Sequence, residues 1–130
     1  MTDSFSNATS IIVDLRINEG GNDRSGLRLA SYFVNATTEA FYQRTMDTYP
    51  GAWLPNETIY IQPNPDVQFN GNQIILITSD SCGSACETLT IAMEQTPAFL
   101  TSLGRSTIGA LSYNTQRRLD NDMLVYTSKA

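Results

Sequence analysis

Ser79-Asp80-Ser81-Cys82-Gly83-Ser84-Ala85-Cys86-Glu87 decides how this chain is read. The segment follows an apolar run of strand length, Gln73 to Thr78. It opens a stretch in which Leu89, Ala92 and Met93 recur at helical spacing until Thr96-Pro97 ends it. A strand that feeds a helix through such a turn places Ser84 at the helix N-terminus. Backbone N–H groups lack partners there and the helix dipole favours negative charge, so the hydroxyl sits beside a ready site for a developing oxyanion. Ser84 to Glu87 equally fits the S-x-x-E capping box, and on this segment alone the cap is the simpler reading. The two roles are compatible, because a hydroxyl has two lone pairs and one proton.

The same strand, loop and helix unit occurs upstream. Ile11 to Leu15 is a short, fully apolar run of the kind produced by a strand in a sheet covered on both faces. A turn at Asn18-Glu19-Gly20-Gly21-Asn22-Asp23 follows, and Leu27, Leu29, Ala30, Tyr32 and Phe33 then give a helical face with Asp23 or Ser25 as its cap. Ala40 to Met46 and Thr58 to Gln62 read as short strands joined by a loop rich in Tyr, Pro, Gly and Trp. Phe99 to Leu103 is a further strand, and Gly104 to Ala110 a turn. Ser112 to Leu119 and Met123 to Thr127 form a hairpin around Asp120-Asn121. This alternation predicts an α/β layered fold with a mainly parallel sheet and flanking helices.

In such sheets ligands collect at the carboxyl ends of the strands, and both Gly20-Gly21 and Gly83-Ser84 belong to that edge. If Ser84 attacks a carbonyl, the N–H of Ala85 is a natural first donor to the oxyanion, and that of Gly20 or Gly21 a natural second. The diglycine is equally readable as a plain turn after a strand.

Composition bounds the rest. The 130 residues, 41% of them apolar, are read as one domain spanning 1–130. A formal charge of −5, a pI near 4.4 and the absence of a basic stripe argue against nucleic acid as a partner. No apolar run approaches the ~20 residues of a membrane span, and Met1-Thr2-Asp3-Ser4 does not open a leader peptide. Two cysteines and no histidine cannot complete a four-ligand zinc site, so neither a metal nor another cofactor is expected. Cys82 and Cys86 are near enough in sequence for a bridge, but two reduced, packed thiols is the preferred reading. The N-x-T triplets at Asn7, Asn35 and Asn56 are about what chance yields in so Ser/Thr-rich a chain.

Three segments carry a family resemblance. Ile11-Ile12-Val13-Asp14-Leu15-Arg16-Ile17-Asn18-Glu19-Gly20-Gly21 resembles the D-L-R-x-N-x-G-G strand and loop of the tail-specific (C-terminal-processing) serine peptidases. Ser84-Ala85-Cys86-Glu87 is similar to their S-A-S-E nucleophile segment, and Gly104 to Ser112 to their G-x-x-T-x-G segment. The resemblance implies a Clp-protease/crotonase-like core, peptide or protein substrates, Ser84 as nucleophile, and Ala85 with Gly20 or Gly21 in the oxyanion hole. It also suggests export, to a periplasm or the cell exterior.

Departures from the pattern matter as well. Ile17 stands where many members have glycine. Ala110 stands where the Ser-Lys branch carries its general base, and the lone lysine, Lys129, reads as a solvated terminal charge. The Ser-His branch, typified by the tricorn core protease, draws its histidine and assisting glutamate from outside the stretch that matches here. Asp14, Glu19, Asp80 and Glu87 are poor bases at neutral pH and read as structural or capping groups. The expectation is the central part of a Ser-His-type catalytic core, trimmed at both ends, or a relative that has lost its base. A non-catalytic peptide-binding module on the same core is the alternative, and a crotonase-type acyl-thioester enzyme a more distant third.

Overall fold

The computed structural model describes residues 5–45, 52–111, 113–118 and 124–129. Three parallel strands form the central layer: β1 (Ser10–Asp14), β4 (Gln73–Thr78) and β5 (Phe99–Gly104), in the order β1-β4-β5. The register sets Ile12 beside Ile75 and Ile75 beside Thr101. Between β1 and β4 run helix α1 (Asp23–Ala30), a single 3-10 turn (Ser31–Phe33), and the antiparallel pair β2 (Thr38–Gln43) and β3 (Glu57–Ile61). Helix α2 (Ala85–Glu94) connects β4 to β5, and β6 (Tyr113–Arg118) pairs antiparallel with β7 (Leu124–Lys129). The turn expected at Asp120-Asn121 and the side chain of Lys129 lie outside the described residues.

Alternation along the strands sends one set of side chains into the core. Ile74 and Leu76 of β4 are completely buried, with Ile11, Val13 and Leu100 from the neighbouring strands packed against the same cluster. Ala92 and Met93 of α2 meet them, so this face carries most of the apolar burial. The opposite face differs from the expected two-sided cover: Ile12 is 64% exposed and Phe99 70% exposed. A run of β-branched residues therefore reported strand propensity here more than burial. The two helices approach closely at Gly26, where an added Cβ would lie 3.2 Å from that of Leu89. Within the same core, Phe5, Phe33 and Phe69 meet in tilted and edge-on ring pairs.

β2 and β3 fall slightly off their expected limits. The register slips between Glu39 and Phe41, and the resulting bulge lets Ala40 turn into the core.

Candidate active site

The first loop leaves β1 under tight control. Asp14 accepts two hydrogen bonds from Arg16 Nε (2.9 and 3.1 Å) and one from its Nη2 (2.7 Å), which brings the Asp14 pKa down to about 2. The Leu15 N–H donates to the Ile77 carbonyl at 2.8 Å and so carries the β1–β4 ladder one residue past β1. Asn18 N–H then donates to the Leu15 carbonyl, while Asn18 Oδ1 accepts from Gly20 N–H at 3.0 Å. That Asx turn swings the chain into Gly20 (φ 113°) and Gly21 (φ 138°), backbone conformations open to glycine and strained for other residues. Asn22, rather than Asp23 or Ser25, caps α1: its Oδ1 accepts from Arg24 N–H at 2.9 Å. The turn expected through Asp23 ends one residue earlier, and this moves the cap.

The second loop leaves β4 through a hydroxyl clasp. Ser79 Oγ donates to the Arg16 carbonyl and accepts from Ser81 N–H, joining the two loops at their roots. Cys82 N–H donates to the Ser79 carbonyl, and the Cys82 carbonyl accepts from Ile108 N–H at 3.0 Å. Ser84 follows with φ 54° and ψ −123°, the one non-glycine at positive φ among the described residues. Holding such a residue there costs on the order of 1–3 kcal/mol, and strain of this kind concentrates at functional turns. Serines at sharp strand-to-helix turns project their hydroxyls for the same reason. Ser84 is half-buried, between buried Gly83 and buried Ala85.

The cap reading of Ser84 also holds in part. Ser84 and Glu87 form a capping box in which the Ser84 side chain faces the Glu87 N–H and the Ser84 N–H donates to Glu87 Oε2 at 3.1 Å. The Glu87 N–H also donates to the Ser84 carbonyl at 2.8 Å, and the cap uses an acceptor site of the serine hydroxyl while leaving its proton. Ala85 N–H, the first of α2, makes no hydrogen bond among the described residues.

The two loops meet. A Cβ built on Gly20 would fall 2.6 Å from the Gly83 carbonyl oxygen, 2.9 Å from Ser84 Cβ and 3.2 Å from Ala85 N. The backbone of residue 20 therefore lies against the serine turn, and glycine alone leaves room for it. At Gly21 the corresponding position has nothing within 4 Å and faces open space.

The cysteines contradict their expected state. Cys82 and Cys86 form a disulfide across the serine turn, with Cα atoms 5.4 Å apart and both residues wholly buried. The preference for free thiols assumed that Cys82 lay in a loop of unknown direction; the turn into α2 points it at the first helical turn instead.

Glu87 does more than the cap pattern indicated. It is 4% exposed, and its Oε1 accepts from Gly109 N–H at 2.7 Å while its Oε2 accepts from Ala110 N–H at 2.8 Å. Burial pushes its carboxyl up. A hydrogen bond with the Thr107 side chain and the N–H groups of Gly109, Ala110 and Ser84 outweigh burial and hold the pKa below the ordinary glutamate value. One carboxylate thus fastens the third motif loop to the serine turn. The signal available in the sequence was a glutamate three residues after Ser84 together with a glycine-bearing loop after the next strand, but no local rule connects them.

These elements reproduce the motif order of the three segments above, and residues 1–130 match the sequence profile of peptidase family S41. The chain belongs to this family. Solved S41-like structures share its fold. A candidate peptidase from Parabacteroides merdae superposes with a TM-score of 0.79 at 22% identity, covering 97% of this chain and 40% of its own. A candidate S41 protease from Bacteroides fragilis gives 0.69 at 14% identity, over 96% of this chain and 34% of its own. The photosystem II D1 C-terminal processing protease gives 0.68 at 15% identity, over 94% and 29%. The S41 chain described here therefore spans two fifths or less of the length of each. No curated protein matches it. Among the described residues no helix is long and apolar enough to cross a membrane.

Proposed function

We propose that this S41 chain is the nucleophile-bearing part of a serine peptidase that cleaves peptide bonds through an acyl-enzyme at Ser84. Ser84 Oγ attacks the carbonyl carbon, and the oxyanion is received by the N–H of Ala85, at the positive end of α2. Gly20 N–H is already given to Asn18 Oδ1, so of the two candidate glycines Gly21 is the second donor. The observation that carries the reading is the packing of Gly20 against Ser84 Cβ and Ala85 N, which brings the diglycine bend to the serine.

A serine hydroxyl needs a base, and the chain has no histidine. Ala110 occupies the position of the Ser-Lys base, which favours the Ser-His branch, with the base contributed from beyond the 130 residues. Nucleophile and oxyanion donors without a base retain on the order of 10³–10⁴-fold acceleration over water, so this piece by itself is weakly active at most. A buried disulfide forms and persists in an oxidising compartment, which supports the exported location implied by the family resemblance.

The test is reaction of the full-length protein with a serine-directed phosphonate. Labelling that disappears on Ser84→Ala supports the peptidase. Retained affinity for peptides with no labelling of Ser84 assigns the fold to a non-catalytic peptide binder instead.

A further inference from the structure

The residues that hold Ser84 in its strained conformation fall into two sets. Above the turn lies the diglycine bend, pressed against Gly83 and Ser84, with Ile108 against Gly83 from the side. Below it lies the Cys82–Cys86 disulfide. Cys82 Sγ is 3.9 Å from Thr90 Oγ1 of α2, and Cys86 Sγ is 3.9 Å from the Leu15 carbonyl at the end of β1. The bridge spans Gly83, Ser84 and Ala85, and of the five residues in the ring only Ser84 is not buried.

We infer that the Cys82–Cys86 disulfide is a positioning element of the serine site: it fixes the backbone of residues 83–85 so that Ser84 stays at positive φ with its hydroxyl directed outward. Three residues between two anchored ends have six soft dihedrals. The hydrogen bond from Cys86 N–H to the Gly83 carbonyl and the Ser84–Glu87 contact restrain the helical side of the turn. The main-chain hydrogen bonds of the loop side run through Cys82, which bonds to Ser79 and Ile108, both in loops. The bridge ties that loop side directly to α2. Without it, the turn can relax toward negative φ by sinking into the space left by the sulfurs, and the Ser84 side chain loses its fixed direction. Cys82 and Cys86 are positioning residues, since neither touches a reacting atom. Both are wholly buried, so the bridge is a permanent brace rather than a contact open to passing thiols.

This inference rests on the proposed peptidase reading for its chemical consequence, and its test separates the two. In the full-length protein, Cys82→Ala/Cys86→Ala and Cys82→Ser/Cys86→Ser are compared with wild type by phosphonate inactivation kinetics and by amide hydrogen exchange over 79–95. The brace predicts a maximal inactivation rate lowered about tenfold or more with half-saturation changed less than about twofold. It also predicts faster exchange confined to the turn at 83–87, with Leu89 to Met93 as protected as before. Unchanged inactivation and exchange in both variants would overturn it. So would loss of protection throughout α2, which would make the bridge a staple of the whole fold. If wild type is never labelled at Ser84, the peptidase reading fails, and exchange confined to the turn still upholds the brace.

Discussion

The chain contains the same unit twice, and the two copies are stabilised by different means. In β1, Gly20-Gly21 and α1 the loop is shaped by glycines and by two asparagines, Asn18 and Asn22, that hydrogen-bond the main chain two residues on. In β4, Ser84 and α2 it is held by a disulfide and by a buried carboxylate that reaches a distant segment. The first loop presents backbone and has to be bare. The second presents a side chain, so it cannot use glycine at the strained position and needs outside restraint to hold serine there.

The largest effect expected from breaking this contrast comes from Gly20→Ala. The new methyl meets backbone at 2.6 Å and the residue keeps φ 113°, so stability falls by about 3 kcal/mol or more. A denaturant midpoint close to wild type would show that the two bends do not press on each other. Next is Glu87→Gln, which sets an amide N–H₂ against main-chain donors and costs about 2–3 kcal/mol. Because the folded pKa of Glu87 is depressed, its stabilisation is present above the unfolded value near 4.5 and is lost as pH falls through the lower folded value. Acid unfolding below about pH 4.5 should therefore be shallower in this variant than in wild type. An unaltered acid limb would remove Glu87 from that role.

Gly21→Ala sharpens the comparison within one bend. With open space around it but φ at 138°, only strain is added, about 1–2 kcal/mol, measurably less than at residue 20. The smallest effect is that of Asn22→Ala, about 1 kcal/mol for a lost cap, read by thermal melting. Equal losses at Asn22 and Glu87 would erase the distinction between a locally and a remotely supported loop.

How much of this the sequence disclosed follows the range of the interactions. β4 spans the expected residues, and both strand, loop and helix units stand where apolar periodicity placed them, because Ile74, Leu76, Leu89 and Met93 report burial directly. The meeting of the bends was expected from the rule that binding loops share one edge of a parallel sheet, and Gly20 lies against Ser84. Local patterns were insufficient elsewhere. Asp23 and Ser25 are good caps, but the chain enters the helix at Asn22 because the diglycine bend ends there. The bridge between Cys82 and Cys86 depends on the direction of a turn, and the bonds from Gly109 and Ala110 to Glu87 depend on how β5 returns the chain. Neither follows from a local pattern rule.

The clasp between Ser79 and the Arg16 carbonyl joins residues 63 apart in the chain. The cysteine ring closes over a separation of 4. Closing a long loop is entropically slower than forming a local turn, so on refolding with the bridge intact α2 forms ahead of the contact between the two loops. Helical circular dichroism should recover before the Leu15 amide, bonded to the Ile77 carbonyl across the two strands, gains protection from exchange.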